Sequence, residues 1–399
     1  MKKFTDFNFD MRTEIVFGKG AEENVATLVK KHGGSKVMLV YGGGNIKKIG
    51  VYDTVINLLN AEKIPFTELG GVKPNPRRSL VDKGLSIAMS EKVDFILAIG
   101  GGSSIDTAKG IALGLANGED YWKFYTGTVP TKIAPVGAIP TISAAGSEAS
   151  GSTVVVDDIE TNRKFGIMYP SVRPVFAILN PELTYSVSPY QTGVGAVDIF
   201  AHVVMRYFID ADCYIGDQYC EGTMRTVVKY GPIAYENPTN YEARAELMLA
   251  SAFSHNDLLN MGRYTGNRGG EHPLERQISG VFDTAHGAGL AVLMPAWLKY
   301  ITNYGSEAQV ARVAQFGVKV FDADPDMADV KAVANDSIKR FEHWIKSVGM
   351  PLTFKELGIP TDDLKTLVDN CVGRPAGILP GFMPLDYKAV TEIYSYVMK

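Results

Sequence analysis

DFILAIGGGSSIDTAKG, residues 94–110, runs from an apolar, β-rich segment through three consecutive glycines into a segment of helical period. A strand that stops at glycines and resumes as a helix is the opening of a parallel βα unit. Glycines let the backbone approach a phosphate closely, and a helix start offers N–H groups and a positive dipole end. Gly100–Gly110 therefore reads either as a pyrophosphate cradle or as an ordinary tight βα turn. It has neither the GxGxxG spacing of the common dinucleotide fingerprint nor a P-loop pattern, so a nucleotide fold built on it is a variant.

The same grammar extends in both directions. KVMLVYGG (36–43) precedes the helix-like VYDTVINLLNAEK (51–63), and SIDTAKGIALGLANG (104–118) continues the glycine turn. KIAPVGAIPT (132–141), STVVVDD (152–158) and PVFAILNP (174–181) follow as short apolar runs. This alternation predicts an α/β domain with a doubly wound, mostly parallel sheet over residues 1–185. Beyond Pro181 the pattern changes. Ser188 is a capping residue, Pro189 suits the first helical position, and Gln191 is placed for a capping box. Segments such as YEARAELMLASAFSHNDLLN (241–260) and ADVKAVANDSIKRFEHWIKSVG (328–349) keep helical periods. Residues 186–399 are expected to form an all-helical domain.

A chain of 399 residues, 46% hydrophobic and 21% charged, is long enough to bury two cores. Its net charge of -4 is spread along the sequence. No basic surface argues for nucleic acid, and no cationic helix or apolar run of roughly 20 residues argues for a membrane. A small-molecule partner is expected. The three cysteines, Cys213, Cys220 and Cys371, are an odd number without CxxC spacing. They fit neither a disulfide framework nor a cysteine-built zinc site. With no apolar stretch behind MKKFTDFNFD, they point to the cytoplasm.

YGGGNIKKIG, residues 41–50, is a second glycine cluster after a strand. An acid at such a position suits the ribose hydroxyls of NAD, whereas small or basic groups accommodate a 2′-phosphate. Gly42, Gly43, Gly44, Asn45, Lys47 and Lys48 include no acid, which tilts the choice to NADP(H), with NAD(H) as the alternative. The two lysines also read as a solvated helix face. PTISAAGSEASGSTVV, from Pro140 to Val155, is a small, hydroxyl-rich loop whose one charge, Glu148, is expected to be a solvated loop acid.

The helical half carries the metal chemistry. AVDIFAH, residues 196–202, sets Asp198 and His202 four apart in an otherwise apolar helix, about 6 Å along the axis on one face. A carboxylate and an imidazole so placed can share a divalent ion, or they can form a buried hydrogen-bonded pair. Of six histidines, four (His202, His255, His272 and His286) fall within residues 202–286. His272 and His286 look presented at helix or loop ends, so with Asp198 and His202 they make a plausible four-ligand set. His255 reads as core or site wall, and His32 and His343, among charged residues, as exposed.

Taken together, these motifs resemble the iron-dependent (group III) alcohol dehydrogenases, in their butanol dehydrogenase and aldehyde reductase branch. The resemblance covers essentially the whole chain. GGGSSIDTAKGIA is similar to that family's GGGSxxDxxK turn, PTISAAGSEAS to its GSE segment, and the spacing of Asp198, His202, His272 and His286 to its metal ligands. The resemblance implies a dehydroquinate synthase-like architecture, with the α/β domain binding NAD(P), the helical domain holding Fe(II) or Zn(II), and a substrate cleft between them. It also implies a homodimer. It places Gly101, Gly102 and Ser103 at the pyrophosphate, Asp106 beneath the turn or on the nicotinamide side, and Thr141, Lys164 and Leu183 at cofactor contacts. Two departures stand out: Asn45 replaces a serine common in NADP-using relatives, and Arg276 replaces a histidine that some relatives carry four residues after the third ligand. The implied activity is NAD(P)H-dependent interconversion of aldehydes and primary alcohols, with the metal polarising the substrate oxygen. The alternatives are a metal-dependent phosphohydrolase, a polyol or hydroxyaldehyde relative, and a noncatalytic binding protein.

Overall fold

The computed structural model describes residues 2–118, 120–263, 269–360, 364–373 and 377–398. Two compact units divide the chain: residues 10–187 with 251–256, and residues 1–9 with 188–250 and 257–399.

In the first unit the strands are β1 (Glu14–Phe17), β2 (Val37–Tyr41), β3 (Phe66–Leu69), β4 (Phe95–Gly100), β5 (Val136–Pro140), β6 (Ser152–Val156), β7 (Lys164–Met168) and β8 (Phe176–Leu179). Six of them form one parallel sheet in the order β1-β8-β5-β4-β2-β3. β4 is buried at every position, as a strand covered on both faces must be. Its covering helices are α1 (Val25–Lys31), α2 (Val51–Ala61), α3 (Arg78–Ser90) and α4 (Gly102–Asn117). Alternate residues go to opposite faces: Ile96 and Ala98 share a core with Val81 and Ile111, while Phe95 and Leu97 share another with Val29 and Val55. This is the doubly wound arrangement.

The strand order places the glycine turns. From β2 the chain moves outward to β3, then returns past β2 to β4 and continues to β5. β2 and β4 are hydrogen-bonded neighbours, from Val37 against Phe95 to Tyr41 against Ile99. Their carboxyl ends, which lead into Gly42–Gly44 and Gly100–Gly102, therefore flank the switch point where open α/β sheets leave a crevice for ligands. β1 and β3, like β8 only four residues long, are not among the runs picked out in the sequence. STVVVDD does form a strand, but in an antiparallel β6–β7 hairpin outside the six-stranded sheet.

The second unit is built from helices α5 (Pro189–Tyr207), α6 (Tyr214–Glu236), most of α7 (Tyr241–Ser254), α8 (Glu271–Phe282), α9 (His286–Tyr304), α10 (Glu307–Phe321) and α11 (Val330–Ser347). α5 starts where Ser188 accepts a hydrogen bond from the Gln191 N–H and Pro189 takes the first position. Its residues from Thr192 to Val204 are all buried. Phe200 anchors it, with ring centroids 5.1 Å from Phe341 and 4.7 Å from Trp344. Residues 1–9 group with this unit, where Lys2 and Lys3 pair in parallel with Ala211 and Asp212. The other strands described here are also two residues long, Ile378–Leu379 and Leu385–Asp386. Among the described residues no helix is long and apolar enough to cross a membrane.

Candidate metal centre and cofactor turns

Asp198 and His202 sit one turn apart on α5, and both are buried at 6% exposure despite their polarity. His272 comes from the first turn of α8 and is equally buried. Ligand-type atoms of Asp198, His202 and His272 all lie within 4.8 Å of one another. His286, the first residue of α9, completes the ring, with Nε2 4.0 Å from Asp198 Oδ1 and its ring 5.4 Å from that of His272. An ion bonded at about 2.0 to 2.2 Å holds its donors roughly 3 to 4.4 Å apart, so these side chains stand at about the span one ion can bridge. All four sequence candidates are thus brought together.

The far nitrogen of each imidazole is already engaged. His202 Nδ1–H donates to the Asp198 carbonyl at 3.0 Å. His272 Nδ1 is 2.8 Å from Glu271 Oε1, and His286 Nδ1 is hydrogen-bonded to Glu275 Oε2. Such partners fix the ring tautomer and leave Nε2 to face a metal. Glu271 and Glu275 are fully buried. Glu275 has its place because Gly289 lacks a side chain: a Cβ there would stand 2.8 Å from Glu275 Oε1. In the sequence EHPLER looks like a solvated charged stretch, and the signal for both acids is their spacing, one before and three after His272.

The surroundings set the charge state of His202. Burial, then the nearby His272, Arg206 and His286, hold the His202 imidazole well below its ordinary range and keep it neutral, the form that binds metal. Arg206, on the same face of α5 one turn on, is buried and donates from Nη1 to the His202 carbonyl at 2.6 Å. A divalent ion together with Arg206 would balance the carboxylates of Asp198, Glu271 and Glu275. The donor set, one carboxylate and three imidazoles, suits Fe(II) or Zn(II).

In the first unit, Gly100 adopts φ +147° and Gly101 caps α4. Gly102 opens that helix with Ser103 beside it, and Asp106 lies beneath the turn, bonded to Ser147 Oγ at 2.6 Å and to the Val154 N–H at 3.1 Å. Thr141 N–H donates to Gly100 O at 3.0 Å, which keeps Thr141 at the turn. At the second cluster Gly42 borders Val72 O, a Cβ on Gly43 would meet nothing, and Asn45 Nδ2 donates to Ser186 Oγ at 3.1 Å. Lys47 Nζ lies 4.4 Å from the centroid of the Tyr52 ring. Lys164 opens β7 opposite Val156, and Leu183 lies in the core with its side chain 5% exposed.

Two expectations, for Glu148 and His32, need revision. Glu148 is not a solvated acid: it is 3% exposed, with Oε1 3.3 Å from Ser251 Oγ. His255 groups with the α/β unit, where its Nδ1 bonds Ala145 O at 2.9 Å. His32 is partly covered and pairs with Glu14 at 3.0 Å, while His343 is exposed as expected.

Comparison with known proteins agrees with this geometry. Residues 12–181 match the iron-containing alcohol dehydrogenase model and residues 192–398 match the model of the C-terminal part of that family. The chain belongs to the iron-containing alcohol dehydrogenase family. It is 37% identical over 390 residues to NADH-dependent butanol dehydrogenase A of Clostridium acetobutylicum, covering 97% of this chain and 98% of that one. It is 31% identical to the NADPH-dependent aldehyde reductase YqhD of Escherichia coli, over 91% of this chain and 92% of that one. The crystal structure of an NADH-dependent butanol dehydrogenase A from Thermotoga maritima superposes with a TM-score of 0.91 at 35% identity, covering 99% of each chain. A phosphohydrolase is not favoured by these matches.

The burial of Glu148 has a measurable consequence. Desolvation pushes its carboxyl from an ordinary 4.5 up to about 7, against the pull of its own backbone N–H, Lys109 and Ser251. The folded state therefore keeps a proton that the unfolded chain releases, and the associated stability is lost as pH rises from about 4.5 through 7. Glu148→Gln is expected to raise the melting temperature more at about pH 8 than at about pH 5.5. An equal shift at both would contradict protonation by burial.

Proposed function

We propose that the protein is a metal-dependent NAD(P)H alcohol dehydrogenase that interconverts aldehydes and primary alcohols of the butyraldehyde and butanol type. The observation that carries this reading is the ring of Asp198, His202, His272 and His286, with every imidazole backed at Nδ1, in a chain of the iron-containing alcohol dehydrogenase family. An Fe(II) or Zn(II) ion in that ring supplies Lewis-acid polarisation of the substrate carbonyl, and the reduced nicotinamide supplies hydride. The chain's own residues do the rest. Asp198 and the three histidines hold the ion, Glu271 and Glu275 fix the orientation of His272 and His286, and Arg206 secures the backbone at His202. Gly101, Gly102 and Ser103 receive the pyrophosphate at the start of α4, where N–H groups and the helix dipole favour an anion. Asp106, Thr141, Lys164 and Leu183 belong to the same cofactor site.

We favour NADP(H) over NAD(H). Gly42, Gly43, Asn45 and Lys47 bring no acid to the turn. Glu68, on the adjacent strand β3, is taken up by the hydroxyls of Tyr41 at 2.6 Å and Tyr52 at 3.0 Å. A cytoplasmic location is supported by three free cysteines. A homodimer is supported by Phe17, 40% exposed on the sheet's edge strand, and is read by sedimentation; a monomer at working concentration would remove it.

His272→Ala and His286→Ala are each expected to lose bound metal and butyraldehyde reduction together; full activity in a metal-depleted variant would overturn the reading. Glu275→Gln keeps the four proposed ligands, yet is expected to weaken metal affinity about 10- to 100-fold by direct titration. Affinity equal to wild type would assign Glu275 no part in the centre. With butyraldehyde, kcat/KM is expected to be higher for NADPH than for NADH. The reverse order would correct the cofactor preference while leaving the reaction class standing.

A further inference from the structure

Residues 141–151, which join β5 to β6, contain no helix or strand, yet Gly146–Gly151 are buried. Irregular backbone normally runs over the surface, because its carbonyls need hydrogen-bond donors. Here one ammonium serves two of them, at Ser147 and Ser150, as well as the carbonyl of Ser152 just beyond. Lys109, fully buried on α4, places Nζ 2.7 Å from Ser147 O, 3.0 Å from Ser147 Oγ, 2.9 Å from Ser150 O and 2.7 Å from Ser152 O. Asp106, three residues earlier and thus on the same helix face, accepts from Ser147 Oγ and from the Val154 N–H. Ser147 Oγ therefore bridges the two side chains.

The far side of the segment is equally constrained. Gly146 has φ +65°, and a Cβ there would come 2.3 Å from Ser251 O. Ser251 Oγ in turn reaches Ala144 N at 3.2 Å and Glu148 Oε1 at 3.3 Å. The segment also walls the glycine turn. Besides the bond from Thr141 N–H to Gly100 O, a Cβ on Gly101 would stand 3.0 Å from Ile142 Cγ2, and one on Gly102 would stand 3.6 Å from Ala145 Cβ. Any shift of 141–152 moves that wall.

We propose that Lys109 is a positioning residue for the nicotinamide cofactor: by binding the oxygens of Ser147, Ser150 and Ser152 it holds residues 141–152 against the Gly100–Ser103 turn and so shapes the pyrophosphate cradle. The inference rests on the cofactor reading given above. Burial pushes the Lys109 ammonium down to about 8, and Asp106 and Glu148 oppose that shift. Lysine is required because the role needs both length and several N–H donors; methionine has comparable reach and none.

The test is Lys109→Met in the full-length chain, with NADPH binding followed by fluorescence, steady-state kinetics, and hydrogen exchange across 141–152. The dissociation constant and KM for NADPH should rise about tenfold or more, the scale expected when bonds to a charged donor are lost. kcat should fall by a smaller factor, metal content should not change, and amides of 141–152 should exchange faster. A purely structural lysine would instead lower the folded fraction and leave the affinity of the folded protein as it was. Ser147→Ala removes the hydroxyl bridge but keeps the carbonyl, and should move affinity in the same direction by about threefold; it decides the matter if Lys109→Met does not fold. NADPH affinity within about twofold of wild type in the folded variants would overturn the proposal. If wild type binds neither NADPH nor NADH, the cofactor reading fails and this role fails with it, whereas unchanged exchange in folded Lys109→Met would refute the clamp alone.

Discussion

Helix α9 approaches α5 so closely that a Cβ on Gly287 would stand 2.1 Å from the Val194 carbonyl oxygen. The histidine centre depends on this contact, because His286 is the residue just before Gly287 and Asp198 lies one turn beyond Val194. Any larger side chain at 287 would push the two helices apart and carry His286 away from the carboxylate. Two residues on, Gly289 opens the space that Glu275 needs to reach His286. In HGAG the glycines are thus packing devices, and the apolar residues of α5 keep its polar pair on a rigid support.

The protein buries charge in two different ways. Around the histidines, Asp198, Glu271 and Glu275 cluster with His202, His272 and His286, and on the function proposed above the stability of that cluster is coupled to metal binding. Below the glycine turn, Lys109 and Asp106 lie within one unit and offset each other's charge, with backbone oxygens accepting the lysine's hydrogen bonds. On the function proposed above, the first arrangement receives an ion. The second supports an irregular buried segment.

Much of this was legible in the sequence, and the parts that were not share a cause. The doubly wound sheet could be read because β4 is a continuous apolar run ending in glycines, and the gathering of the four candidate side chains because Asp198 and His202 break an apolar helix at a spacing of four. Glu271 and Glu275 were hidden: a charged residue on a helix is usually solvated, and only tertiary packing reveals that these two face histidines. The same holds for Glu148, a loop acid that only tertiary packing buries. Residues 1–9 could not have been assigned to the helical unit, since the pairing of Lys2–Lys3 with Ala211–Asp212 spans more than half the chain. The strands β1 (EIVF) and β3 (FTEL) each carry a polar residue and are only partly buried, so unlike the equally short but fully apolar β8 (FAIL) they do not stand out as apolar runs.

The central claim is that one carboxylate and three imidazoles of this chain share a divalent ion. X-ray absorption at the metal edge of protein loaded with Fe(II) or Zn(II) tests it most directly. The account predicts a first shell of nitrogen and oxygen at about 2.0 to 2.2 Å with the multiple-scattering signature of three imidazoles, lost in part when any one of His202, His272 or His286 is replaced. A shell containing sulfur, or one unaffected by those replacements, would contradict it.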